Sequence, residues 1–139
     1  MKKQALINAP LSALIAQLGH GDSICIADAG LPIPDNVLRI DLALVRAVPS
    51  FLQTFDAVVT EMMVEEAIIA TELTGTDSPV YQGLLSRIDS LGHEQGNEIA
   101  VADVTHEMFK IHTQQCKAVI RTGECTPYAN IILKAGVSF

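Results

Sequence analysis

The chain has 139 residues, 49% of them apolar and 18% charged, and its sixteen acidic residues outweigh nine basic ones to give a net charge of −7. That balance excludes a nucleic-acid module, which needs a basic stripe to neutralise phosphates. Apolar runs of only a few residues fall far short of the roughly 18 a membrane span requires. A mean hydropathy of +0.32 excludes a disordered chain.

The first element is a short helix. Pro10 suits a first helical position, Leu11, Leu14, Ile15 and Leu18 recur at helical spacing, and Gly19 is the expected left-handed stop. Residues 23–27, Ser-Ile-Cys-Ile-Ala, read as a buried strand that delivers Asp28 to its C-terminal end. A stiff loop through Pro32 and Pro34 follows. Residues 40–45 and 57–60 read as further strands, with a helical turn over 49–55 between them. Residues 62–73 fit a strand or an amphipathic helix, and a strand is the expectation adopted. Ser78 caps and Pro79 opens a second helix, with Val80, Leu84, Leu85, Ile88 and Leu91 as its stripe and Gly92 as its stop. Residues 99–104 form a strand, and Thr105 caps a helix running to about His112. Residues 118–121 and 131–134 are the last strands, joined by a turn through Gly123 and Pro127.

Strands interleaved with helices of about ten residues predict an α/β fold: a three-layer α/β/α sandwich around a mixed, largely parallel sheet. A single domain over residues 1–139 is expected, since neither side of the polar break at 74–79 could build a core alone. Four Phe, two Tyr, no Trp and a charged fraction below the usual quarter point to surface hidden in an oligomer. Cys25, Cys116 and Cys125 cannot all pair within one chain, and none lies in a CxxC or zinc-ligand pattern. Lys2 and Lys3 precede no unbroken apolar run, so no signal peptide is expected, and free thiols suit the cytoplasm.

Ligands of open α/β sheets bind beyond the carboxyl ends of strands. Asp28, the Thr105-His106 pair and residues 123–130 lie there. His20 lies between Gly19 and Gly21, an imidazole is the side chain suited to donating and accepting protons at neutral pH, and Asp22 is near enough in sequence to orient it. Spacing alone favours a surface-loop histidine, and only the fold could bring it to the other groups. Lys110 shares a helix face with His106. On the bland reading these are an exposed helix start and a solvated lysine. His106 and His112 are six apart, roughly 240° around a helix, which does not suit a metal site. Tyr128 and Asn130 offer a stacking ring and a carboxamide, although Asn130 could equally cap its own turn. No phosphate loop, dinucleotide fingerprint or nucleophile elbow is present.

Leu18-Gly19-His20-Gly21-Asp22, Asp28-Ala29-Gly30-Leu31-Pro32-Ile33-Pro34, Arg39-Ile40-Asp41, residues 123–130 and the ending Lys134-Ala135-Gly136-Val137-Ser138-Phe139 resemble the ribose pyranase and fucose mutarotase family over essentially the full chain. The segment after Asp28 is similar to the ribose branch. The resemblance implies interconversion of the pyranose and furanose forms of D-ribose, supplying furanose for phosphorylation in ribose catabolism, with no cofactor. It implies His20 as proton donor, and Asp28, His106, Lys110, Tyr128, Ala129 and Asn130 as sugar-binding groups. It also implies a ring-built homo-oligomer, commonly a decamer, with sites near subunit boundaries. The alternatives are a mutarotase for fucose or another sugar, and a non-catalytic ribose-binding accessory subunit of a transporter.

Overall fold

A computed structural model describes residues 1–139. The elements run α1 (Ala9–Gln17), β1 (Ser23–Ala27), β2 (Leu38–Asp41), α2 (Phe51–Val59), β3 (Val64–Ala70), α3 (Thr71–Thr74), α4 (Pro79–Gln95), β4 (Ala100–Val104), α5 (His106–Thr113), β5 (Ala118–Arg121) and β6 (Ile131–Ala135). The strands form one sheet in the order β2-β5-β1-β6-β3-β4. Pairs β2–β5, β5–β1 and β3–β4 are parallel, whereas β6 runs antiparallel to both β1 and β3. Five strands therefore point one way and β6 alone points back, the mixed, largely parallel sheet expected of the sequence.

Alternation along the strands divides the core in two. Ile24 and Ile26 of β1, with Ala118, Ile120, Ile131 and Leu133, join Leu11, Phe51, Phe55, Leu84 and Ile88 in the large core under α1, α2 and α4. Cys25 and Ala27 face the other side, where Phe109 of α5 packs with Leu31, Val37, Val119 and Ile132. Among the helices, this smaller core is fed by α5 alone.

Several local expectations are corrected. Residues 57–60 are not a strand: they end α2, whose buried Phe51, Thr54, Phe55 and Val58 follow helical spacing. A reciprocal Ser50–Gln53 capping box starts this helix, satisfying two otherwise free backbone donors. The strand expected over 40–45 is displaced to Leu38–Asp41. Beyond it the chain leaves β5, and Val45 bridges only to Val48. Gly19 is not left-handed; Leu18 caps α1 in extended geometry, and the positive φ belongs to Gly21. The second long helix passes through Gly92 and stops at left-handed Gly96. Residues 62–73 resolve into β3 followed by the short α3.

The asymmetry of the two cores makes Phe109, fully buried, the anchor of α5. Phe109→Ala is expected to cost about 3–5 kcal/mol in chemical denaturation, far more than truncation of exposed Met108 one position earlier. Equal effects of the two substitutions would contradict this packing.

Candidate active site

The antiparallel course of β6 decides which loops meet. Ile131, at the start of β6, pairs with Ile26 near the end of β1 and with Ile69 near the end of β3. Residues just before β6 therefore stand at the C-terminal ends of the parallel strands. Asp28 follows β1 there, Glu72 follows β3, and His106 follows β4.

Asn130, fully buried, locks this edge. Its Oδ1 accepts the Asp28 backbone N–H at 2.8 Å, and its Nδ2 donates to Asp28 Oδ2 at 2.9 Å. The other carboxylate oxygen of Asp28 accepts the Gly30 N–H at 2.8 Å. Each oxygen keeps acceptor capacity for a further donor. Tyr128 is held at φ +63°, a left-handed conformation that costs a non-glycine residue roughly 1 kcal/mol. Its carbonyl accepts the Asn130 N–H at 2.8 Å. The phenol ring meets the His106 imidazole edge to face, centroids 5.0 Å apart and planes at 75°. Ala129 is fully buried in the large core, so it offers a ligand backbone rather than side chain. Lys110 lies one helical turn beyond His106, its ammonium 2.7 Å from Glu107.

Two carboxylates outside the candidate set organise this edge. Glu72 Oε2 accepts the His106 backbone N–H at 2.8 Å, pinning the start of α5 to the end of β3. Hydrogen bonds from its own N–H, the His106 N–H and the Thr71 hydroxyl hold its carboxyl below the usual range. Glu124 accepts from the N–H groups of Phe51, Cys125 and Thr126 at 3.3, 3.0 and 2.9 Å, while its carbonyl takes the Ala29 N–H at 2.8 Å. Burial alone would push its carboxyl up, but the hydrogen bonds from Thr126, Phe51 and Cys125 outweigh that effect and lower it. Each adds to its local bonds one contact distant in sequence, Glu72 to His106 and Glu124 to Phe51. Gly123, beside Glu124, admits no side chain, since a Cβ would stand 2.6 Å from backbone atoms of Val45 and Val48.

His20 is not in this cluster. It precedes β1, whereas Asp28 follows it, and the strand between spans about 16 Å at 3.3 Å per residue. The His20 turn is tied to the opposite sheet edge, where the Gly21 N–H donates to Ala135 and the Ala135 N–H to Asp22. There Nε2 of His20 donates to Glu65 Oε2 at 2.9 Å, and the imidazole is 62% exposed. Asp22 does not orient it. One Asp22 oxygen accepts the Gly19 N–H at 2.9 Å and the other pairs with Lys117 at 3.3 Å, and the Gly19 bond chiefly lowers its carboxyl. Within one chain, then, six of the seven residues singled out gather at or beside one sheet edge, and the seventh occupies the other.

Buried Cys25 and Cys116 play no part in either edge. Burial pushes both thiols up, Cys116 to about 11, which keeps them protonated and unreactive at neutral pH.

A mixed α/β sheet with carboxylate, carboxamide, imidazole and phenol at its strand ends defines a class of proteins that hold small polar ligands by hydrogen bonds and stacking. The model of the RbsD / FucU transport protein family matches residues 1–138, and the chain belongs to that family. It is 58% identical to a D-ribose pyranase of Pasteurella multocida and 54% identical to one of Haemophilus influenzae, over the full length of both partners in each case. The Bacillus subtilis RbsD structure complexed with D-ribose is similar at 47% identity and a TM-score of 0.86, covering all of both chains. A fucose mutarotase from Streptococcus pneumoniae in complex with L-fucose is similar at 25% identity and a TM-score of 0.75, covering 96% of this chain and 95% of that one.

Two substitutions probe the edge. Asn130→Asp replaces the donor facing Asp28 Oδ2 with an anionic oxygen, and is expected to destabilise the fold by about 1–3 kcal/mol at pH 7; an unchanged denaturation midpoint would contradict the pairing. Glu124→Gln is expected to cost a similar amount at pH 7. Because the folded carboxyl titrates below its unfolded value, its stabilisation is present above the usual range near pH ~4.3 and lost as pH falls through the folded value. The stability gap between wild type and Glu124→Gln should therefore close in acid, and a gap independent of pH would contradict the assignment.

Proposed function

We propose that this chain interconverts the pyranose and furanose forms of D-ribose by acid–base ring opening and reclosure. The observation that carries this reading is full-length kinship, at better than half identity, with proteins named D-ribose pyranase. Ribose is favoured over fucose because the ribose-complexed relative is both closer in sequence, 47% against 25%, and closer in backbone, 0.86 against 0.75. No helix is long and apolar enough to cross a membrane.

The residue types suit the chemistry. Asp28 offers acceptor lone pairs to sugar hydroxyls, Lys110 a donor, and the half-exposed Tyr128 ring a stacking surface for the apolar face of the sugar. His106 Nδ1 is buried without a protein partner, and buried polar atoms are normally satisfied; a ligand hydroxyl would supply the missing bond. The imidazolium of His20 gives a proton to ring oxygen O5 as the C1–O5 bond breaks and the anomeric hydroxyl releases its proton to water. The open aldehyde rotates about C1–C2. The 4-hydroxyl then adds to C1, returning its proton to the imidazole while the carbonyl oxygen takes one from water. Proton counts balance, and no electron, hydride or phosphoryl group moves. Acid–base catalysis of this kind contributes typically about 10²–10⁴-fold, and the furanose released is the form a sugar kinase would phosphorylate.

One protomer cannot bring His20 to the ligand it holds, because about 16 Å of strand intervenes. The two half-sites at opposite sheet edges meet only if the His20 edge of one copy docks on the Asp28 edge of the next. Such a contact is heterologous, joining different patches, and generates a ring where the rotation between copies closes. We assign the working form to a ring-built homo-oligomer, with a decamer as the assembly the family likeness suggests. Exposed Leu38, Leu44, Val45 and Val48 on and after the edge strand β2 supply apolar surface for subunit packing. Three free cysteines agree with a cytoplasmic setting.

His20→Ala is expected to bind ribose near wild-type affinity by calorimetry and to lose ring-form exchange by saturation-transfer NMR; retained exchange would remove it from the acid role. Mixing His20→Ala with His106→Ala, each inactive alone, tests the shared site. Random co-assembly into rings makes about a quarter of the sites intact, so exchange should return to roughly that fraction. No recovery from rings shown to be mixed would contradict a site built across two copies.

A further inference from the structure

We infer that Glu65 is the positioning residue for His20, fixing the imidazole through Nε2 so that Nδ1 is the nitrogen that exchanges protons with the sugar. The inference rests on the reading of His20 as proton donor given above, and goes beyond it by naming the partner and the reacting atom.

Three observations carry it. First, Glu65 Oε2 lies 2.9 Å from His20 Nε2, and the nearer candidates in sequence are committed elsewhere. Both Asp22 oxygens serve Gly19 and Lys117, and Asp28 lies at the far end of β1. Second, Glu65 is the extra residue of a β-bulge. Val64 pairs with Ala135 and Glu66 with Lys134, so two residues of β3 face one step of β6. A bulge re-aims a side chain out of the regular alternation, and this one turns Glu65 to the His20 turn, while Glu66 stays with its cross-strand partner Lys134 at 3.3 Å. Third, Lys134 does not compete for the reactive oxygen. Its Nζ bonds Glu66 Oε2 at 3.3 Å and stands 4.0 Å from Glu65 Oε1, which leaves Glu65 Oε2 for the imidazole. Gly136 leaves room beside it, since a Cβ there would come within 3.3 Å of Glu65 Cβ.

A carboxylate has no proton to give, so Nε2–H must be the donor in this pair, in both the neutral and the charged imidazole. The ring therefore keeps its Nε2 proton throughout. Nδ1 carries the labile one, losing it to the sugar ring oxygen on opening and regaining one from the attacking hydroxyl on closure. A hydrogen-bond partner on one ring nitrogen selects the tautomer and fixes ring orientation in this way.

Glu65→Ala is expected to retain ribose affinity within about twofold, because no sugar-binding group lies at that sheet edge, while exchange turnover falls roughly tenfold or more. Glu65→Gln, which keeps an acceptor oxygen without charge, should fall between. Side-chain ¹⁵N NMR of neutral His20 should report the Nε2–H tautomer in wild type and a mixture in Glu65→Ala. Wild-type turnover in Glu65→Ala, or reduced turnover with unchanged nitrogen signals, overturns the inference when His20→Ala is inactive. Full turnover in His20→Ala instead overturns the reading beneath it, so the two failures are distinguishable.

Discussion

Strand β6 enters the sheet backwards between β1 and β3, and the placement of every functional group follows from that direction. Because it runs antiparallel, the residues before it arrive at the carboxyl ends of its neighbours, and Asn130 comes within hydrogen-bonding distance of Asp28. The residues at its other end, Lys134 and Ala135, arrive beside the turn that carries His20. A parallel β6 would have put Asn130 with His20 and left Asp28 without its partner. Ladder pairing on both sides holds the strand, and its Ile131 and Leu133 are fully buried, so its position is anchored in the core.

The consequence is a division of labour between two sheet edges. One edge is rigid and buried where it matters: Asn130 against Asp28, Glu124 collecting three backbone donors, Glu72 pinning the start of α5. The other edge is exposed, with an imidazole oriented by a carboxylate from a bulge. Rigidity suits groups that must hold a ligand within a fraction of an ångström. Exposure suits a group that must reach a ligand held by another copy. The sparse surface charge of the chain fits the proposed assembly, since surface that meets another subunit need not be solvated.

Much of this was legible in the sequence. Asp28, Thr105-His106 and the segment up to Asn130 were recognisable as strand-end groups because glycine, proline and capping residues bound the apolar runs on either side. Over residues 57–60 the β-branched pair Val58-Val59 favours a strand locally, but the Ser50–Gln53 capping box and the helical spacing of Phe51, Phe55 and Val58 carry the helix through. Glycine favours the position after a helix, which makes Gly19 and Gly92 natural candidates for stops, yet Gly92 is buried against Asn97 and its helix continues to Gly96. Glu65, Glu72 and Glu124 left no local trace. Each works through a partner between 34 and 73 positions away, Glu65 through a register shift as well, and only pairing across the sheet exposes them.

The central claim is that no single copy holds a complete site. Sedimentation velocity run alongside NMR exchange on a dilution series tests it most directly. If the assembly dissociates before the fold does, exchange per chain should fall in step with the loss of rings and vanish in the folded monomer. A folded monomer that exchanges ribose ring forms at the rate of the assembled protein would contradict the account.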